Sequence, residues 1–465
     1  MRNLFFSACI IVVLWQVFGI VGASRQDPPS ETFVRLMTPP GRSIASPIDN
    51  GYFMLLGLTT LPNSNPVQTG YDIWLESNGT QGRHAFDMEK YGRSDLHIPV
   101  APDVLLPEWN SPTPLAEFHT RQVHARTSMT AYRALLTRYD QWLRMRFEDW
   151  SFAHRGAPRA DDLLGAHRLY IADGFGHQTQ TGIERLIADL AQWRSVLRQA
   201  RTIGMKVTAQ VLLEDDVILL SHILHEDPAD RTMITRALEY LQPLTPAEYS
   251  MRWPMQSEFV LGYARSRSTE STLLPDERTL AAVNALARTA HLYPEDFRHI
   301  EFGQGNAFFG LPTTQTTWNA QATQYDQAIR AIDTAPGPRL VHTRRDVRGE
   351  SSSVSLELNP AWDPFEQRLA ETDARLRLVS LQILMRKPTA TVTVPTRLAE
   401  VGSRYFDPFT GFPMLWSPTQ HTLYSVGKDG LDDGGDAAFD ISVPLTDTLA
   451  PHAGRPAHTR ATNPS

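Results

Sequence analysis

Ile183-Glu184-Arg185-Leu186-Ile187-Ala188-Asp189-Leu190-Ala191-Gln192-Trp193-Arg194-Ser195-Val196-Leu197 is the stretch that decides the fold class. Its apolar residues Ile183, Leu186, Ile187, Leu190, Trp193, Val196 and Leu197 recur at intervals of three and four, which lines them up along one face of an α-helix. Upstream, Tyr132, Leu135, Leu136, Tyr139, Trp142, Leu143 and Phe147 repeat at the same spacing. Downstream, Thr202 to Leu224 runs on as one long apolar-faced element, and Thr279 to Leu292 is another, opened by Pro275-Asp276-Glu277 in the acidic first-turn style. These faces predict a mainly α protein whose helical domain spans residues 115–385, as a helical bundle or a short solenoid. No clear fixed-period repeat decides for the solenoid.

Around that body the pattern changes. Residues 24–114 are rich in breakers, among them Pro39-Pro40-Gly41, Pro62-Asn63-Ser64-Asn65-Pro66 and Asn110-Ser111-Pro112-Thr113-Pro114, which prevent long elements. Between them Tyr52-Phe53-Met54-Leu55-Leu56-Gly57-Leu58 reads as a short buried element, so this segment is expected to wrap over the helices. Residues 386–445 form a small β-containing or α/β module. Residues 446–465, with Pro451, Pro456 and Pro464 and few apolar side chains, read as a disordered tail.

Residues 1–23 read as an export signal. Met1-Arg2-Asn3 is a short positive start, Leu4 to Val21 an almost unbroken apolar run, and Val21-Gly22-Ala23 a small-residue cleavage site. The run also approaches the roughly 20 residues that span a bilayer, so a signal anchor holding the body in the periplasm is the alternative to a cleaved signal peptide. The one cysteine, Cys9, lies inside this run, so the remainder can form neither an internal disulfide nor a thiolate site. A formal charge of −7 over 465 residues gives no reason to expect nucleic acid as a partner. There is no polybasic tract, and four of the 44 basic residues are lysines.

The chemistry-bearing stretch is C-terminal: Leu423-Tyr424-Ser425-Val426-Gly427-Lys428-Asp429-Gly430-Leu431-Asp432-Asp433-Gly434-Gly435-Asp436, closing on Phe439-Asp440-Ile441. Calcium takes six to eight oxygens at about 2.3–2.6 Å and needs a chain able to curl around it, which the glycines permit. On the helix–loop–helix calcium template, Asp429, Asp433, Gly434 and Asp440 fall on positions one, five, six and twelve, but Leu431 breaks the pattern. The flanks favour strands, so the reading is strand, loop, strand. The alternative is a solvated acidic turn with no ion.

Asp407-Pro408, Gly411, Pro413, Ser425, Gly427, Asp429-Gly430, Gly434-Gly435 and Asp440-Ile441 stand in an order that resembles the C-terminal region of the major pseudopilins of type II secretion, over residues 404–445. That resemblance implies a calcium loop with Asp429 and Asp436 as ligands, Asp433 or Asp440 beside them, and carbonyls such as that of Val426 assisting. Met1–Gln26 lacks the family's cleaved Gly followed by Phe or Met and then Glu. With Asn359-Pro360 and the Arg-rich Asp373-Ala374-Arg375-Leu376 through Arg386 ahead of it, the same tail resembles uncharacterised proteobacterial envelope proteins, which implies a compartment and no activity.

In the helical body, Glu214-Asp215-Asp216 precedes His222-x-x-His225-Glu226-Asp227. Asp215, His222 and His225 lie near one helix face and could surround a metal, although the His-Glu-x-x-His signature is missing. The competing reading puts these acids and histidines at the wet edge of an apolar helix. His119 and His124, near Glu117, are five apart and do not share a face. Gly303-x-Gly305 lacks the context of a phosphate loop, and no Gly-x-Ser-x-Gly or Ser-x-x-Lys occurs. Two functions compete: a non-catalytic cell-envelope scaffold that docks a protein partner, and a periplasmic hydrolase with a dispersed Asp, Glu and His site.

Overall fold

The computed structural model describes residues 27–78, 111–153, 157–226, 231–267, 315–334, 359–386 and 393–445. The signal region, the 279–292 helix, the Gly303–Gly305 loop, Asp227 and the 446–465 tail lie outside the described residues. The protein is mainly helical, with one small antiparallel sheet near the C-terminus.

Residues 24–114 contribute α1 (Glu31–Met37), α2 (Gly51–Leu56) and α3 (Pro66–Asn78). The first two starts have a local cause: the Ser30 hydroxyl accepts from the Phe33 amide at 3.1 Å, and the Asn50 side chain accepts from the Tyr52 amide at 3.1 Å. Every residue of α2 is buried. The body continues with α4 (Pro114–Met129), α5 (Arg133–Trp142), α6 (Ala160–His177), α7 (Thr179–Gln199), α8 (Ile203–Glu226), α9 (Arg231–Tyr240), α10 (Pro246–Tyr249), α11 (Arg252–Arg267), α12 (Gln315–Thr334) and α13 (Asn359–Met385).

The Ile183–Leu197 stripe lies on α7, and all seven of its apolar residues are buried. The upstream stripe divides: α5 stops at Trp142, and Phe147 enters the core from the non-helical stretch that follows. Helix α8 is buried on nearly every side, as a helix apolar all round must be. It sits between α7 and α13, with α6 packed on α7 and α4 on both α6 and α8. Among the described residues no helix is long and apolar enough to cross a membrane.

The module adds α14 (Val394–Glu400), β1 (Leu415–Ser417), β2 (Thr422–Ser425) and β3 (Ile441–Pro444) in the order β1-β2-β3. Leu415 pairs with Tyr424, and Ser425 with Ile441. Helix α13 backs the sheet, and Leu423, Ile441 and Val443 join the same apolar core as Phe33 and Trp193. Polar ties reinforce this junction. Asp373 on α13 accepts from the Leu244 amide (2.7 Å), the Tyr249 hydroxyl (2.9 Å) and Arg377 (2.6 Å), while Arg377 also donates to the Phe406 carbonyl at 2.6 Å. The Gln382 amide donates to the Pro444 carbonyl at 2.7 Å.

Candidate functional site

Three sites can be built from the residues upward, beginning with the acidic loop. It joins β2 to β3, and Gly427, Gly430, Gly434 and Gly435 all have positive φ. At Gly435 the requirement is double: φ is 88°, and a Cβ would stand 2.9 Å from Thr422 Oγ1 and 3.1 Å from the Tyr424 ring. The loop's carboxylates cap turns. Asp429 Oδ1 accepts from the Leu431 amide at 3.1 Å, Asp432 from Gly434 at 3.0 Å, Asp436 from Ala438 at 3.0 Å and Asp440 from Gly435 at 2.8 Å. Asp440 alone among them is buried, and its Oδ1 has no hydrogen-bond partner. Burial, with Asp433 and Asp432 nearby, raises the Asp440 carboxyl above the usual carboxylate range.

Of the four acids that the pseudopilin resemblance implies for calcium, Asp440 alone offers a buried oxygen without a partner. Asp429, Asp433, Asp436 and Asp440 do not bring three carboxylate oxygens within 4.8 Å of one another. The Asp407–Pro413 turn ends at the same edge. Asp407 Oδ1 accepts from the Phe409 amide at 2.9 Å, the Asp407 amide donates to the Phe412 carbonyl at 2.7 Å, and Phe409 plugs into the core.

On α8 Asp215 does not converge with the histidines; His222, His225 and Glu226 are half-buried at its C-terminal end, while the three acids before them leave the surface. Glu214, Asp215 and Asp216 are all buried. Glu214 pairs with Arg375 at 2.6 Å, and Asp215 with Arg168 at 2.8 Å. Asp215 and His222 are seven residues apart, about 10 Å along a helix, so one ion cannot join them. Burial lowers the His222 and His225 imidazoles below their ordinary value, with His225 and Arg375 adding to the effect on His222, and Arg386 to that on His225. Glu226 closes the start of α4, where its two oxygens accept from the Leu115 and Ala116 amides at 2.8 and 3.0 Å. His119 is exposed, while Glu117 accepts from the Ser111 hydroxyl at 2.5 Å.

What sequence reading missed is one turn deeper. His167 on α6, Asp189 on α7 and Asp216 on α8 are each 0% exposed. Among the described residues they form the one group of three or more His, Cys, Asp or Glu side chains that offers ligand atoms all within 4.8 Å of one another. His167 Nδ1 meets Asp189 Oδ2 at 2.7 Å, and its Nε2 lies 3.9 Å from Asp216 Oδ1 and 4.0 Å from Asp215 Oδ2. Burial, then the Asp189 and Asp215 carboxylates, push the Asp216 carboxyl well up. The signal was present: Asp189 interrupts the apolar stripe of α7, and Asp216 lies inside an apolar helix.

No family model, curated protein or solved structure matches the chain.

Proposed function

We propose that this protein is a non-catalytic scaffold of the cell envelope that docks a protein partner through the open end of its C-terminal module. The observation that carries the reading is the exposure of Phe412 (71%), Leu431 (61%) and Phe439 (65%). The register pairs Leu415 with Tyr424 and Ser425 with Ile441, so the segment entering β1 and the loop joining β2 to β3 leave from one end of the sheet. Large apolar side chains gathered at one end of a domain are the usual anchors of a protein contact. Residues 1–23 supply the export signal or membrane anchor on this reading. The hydrolase alternative calls for Asp215, His222 and His225 to converge, and helix spacing keeps Asp215 about 10 Å from His222.

A photo-crosslinking residue placed at 412, 431 or 439 of the full chain, in cells that make it, tests the docking surface. Adducts with another envelope protein are expected at these three positions and not at Arg144, whose side chain is 77% exposed just past the end of α5. Equal labelling at all four positions, or intact chain starting at Met1 in the cytosol, overturns the reading. The loop is held by calcium in this scheme, with Asp440 as the buried ligand and Asp429, Asp433 and Asp436 around it. Hydrogen exchange of residues 426–445 in the full chain should slow with calcium relative to chelator, and the difference should vanish in Asp440→Asn. Identical exchange in both conditions leaves the loop an acidic turn.

A further inference from the structure

We propose that Asp189 and Asp216 hold one proton between them, carried on Asp216, and that its release as the medium turns alkaline loosens the packing of α6, α7 and α8. This device does not depend on the docking reading. Its support is geometric. Asp189 on α7 and Asp216 on α8 are each 0% exposed, and their carboxyl groups meet within hydrogen-bonding reach. Asp189 Oδ2 is met by His167 Nδ1 at 2.7 Å, while Asp189 Oδ1 and both oxygens of Asp216 have no hydrogen-bond partner. Two carboxylates only accept, so a buried contact between them calls for a proton on one. On Asp216 that proton is donated to Asp189 Oδ1. The oxygen left over then belongs to a neutral acid, which costs far less to bury than an anion.

The surrounding groups decide which acid is neutral. Asp189 faces the His167 ring of α6, the Tyr139 hydroxyl of α5 and, further off, Tyr170 of α6, whose hydroxyl donates to Asp140 at 2.8 Å. Asp216 faces Asp189, Asp215 and the far edge of the His167 ring, whose Nε2 lies 3.9 Å from Asp216 Oδ1. Of the arginines, Arg168 of α6 pairs with Asp215 at 2.8 Å and Arg375 of α13 with Glu214 at 2.6 Å. Lys206 and Glu226 lie ten residues to either side along α8, about 15 Å away. Burial first, then Asp189 and Asp215, all act on Asp216 in the direction of the neutral acid. In the unfolded chain an aspartate gives up its proton near about pH 3.9. Folded Asp216 keeps it to a far higher pH, so between the two values the folded state holds one proton more and stability falls as pH rises. The loss is up to about tenfold in the folding constant per pH unit. Above the folded value, two charged carboxylates face each other in the core.

The test compares the full chain with Asp216→Asn, whose amide donates to Asp189 at every pH. Between melts at about pH 5 and about pH 8, the melting temperature of the variant should gain several degrees on the wild type. The opposite slopes contributed by Lys206, His222 and His225 are common to both proteins and cancel. Infrared spectra at about pH 7 should show a carboxylic acid C=O band in the wild type that Asp216→Asn lacks, since other aspartates and glutamates absorb alike in both. Hydrogen exchange of residues 160–226, corrected for its intrinsic pH dependence, should quicken between the two pH values in the wild type and not in the variant. If Asp216→Asn does not fold, Asp189→Asn removes the other half of the pair and should lose the same band and slope. An equal difference in melting temperature at both pH values overturns the proposal, as does exchange that changes alike in the two proteins. Identical carboxylic acid bands overturn it too, even with unequal slopes, because they put the proton on His167.

Discussion

At the residue scale, buried cations do most of the work of holding loops. Arg194 on α7 donates to both oxygens of Glu248 (2.7 and 2.8 Å) and to the carbonyls of Tyr240, Gln242 and Pro243. Burial alone would raise Glu248, yet Arg194 and the Thr245 donors hold its carboxyl below the usual value. Arg194→Leu strands that carboxylate, and removing one partner of a buried pair costs about 3–5 kcal/mol. Denaturant unfolding should show a loss of that size, largest above the ordinary glutamate range and shrinking as acid protonates Glu248 in both states. Lys206 gives the second residue-scale prediction. Its Nζ donates to the Leu197 and Glu248 carbonyls, and burial pushes it down to about 7. An unfolded lysine keeps its proton to about 10.4. Between these values the unfolded chain holds the extra proton, so stability rises with pH. Lys206→Met should flatten the rise between about pH 7 and 10, and equal slopes in the two proteins would refute the linkage.

At the element scale, close approach of helices depends on single glycines. A Cβ on Gly182, in the first turns of α7, would overlap the Phe175 ring of α6, and that ring is pinned by stacking on Phe118 at 4.6 Å. Alanine gains up to about 1 kcal/mol of helix propensity over glycine. Overpacking costs about 1–3 kcal/mol. With the ring fixed, the clash wins, and Gly182→Ala should lower the melting temperature by several degrees. Gly204, in the first turn of α8, has no heavy atom within 4 Å of its would-be Cβ, so Gly204→Ala should be neutral or slightly stabilising in the same assay. The helix stripes were legible in sequence for the reason that a 3.6-residue period is local. The end of α5 at Trp142 was not, because Leu143 and Phe147 keep the apolar spacing while the backbone departs from it.

At the scale of the whole molecule, one apolar cluster runs from Phe33 to Leu445. Phe409, Met414, Leu423, Ile441, Val443 and Leu445 of the module all belong to it. Each such side chain contributes about 1.5–3 kcal/mol by burial, so together they rival the roughly 5–15 kcal/mol of a typical domain. A chain ending after Arg386 should therefore aggregate or melt far below the full protein. A soluble product with the parent's melting temperature would show that body and module are independent. Full-length protein should unfold in one calorimetric transition for the same reason.

Sequence by itself determined the mainly α class, the faces of α7 and α8, and the strand–loop–strand at the C-terminus, because periodicity, turn glycines and β-branched runs act over a few neighbouring residues. Tertiary structure alone decided the use of the acids. Asp215 is spent on Arg168, Glu214 on Arg375 and Glu226 on the start of α4, partners 47, 161 and 111 residues away. His167, Asp189 and Asp216 meet only because α6, α7 and α8 pack side by side. Residue spacing along one helix cannot report such a meeting, since the register between helices is set by how their side chains interlock.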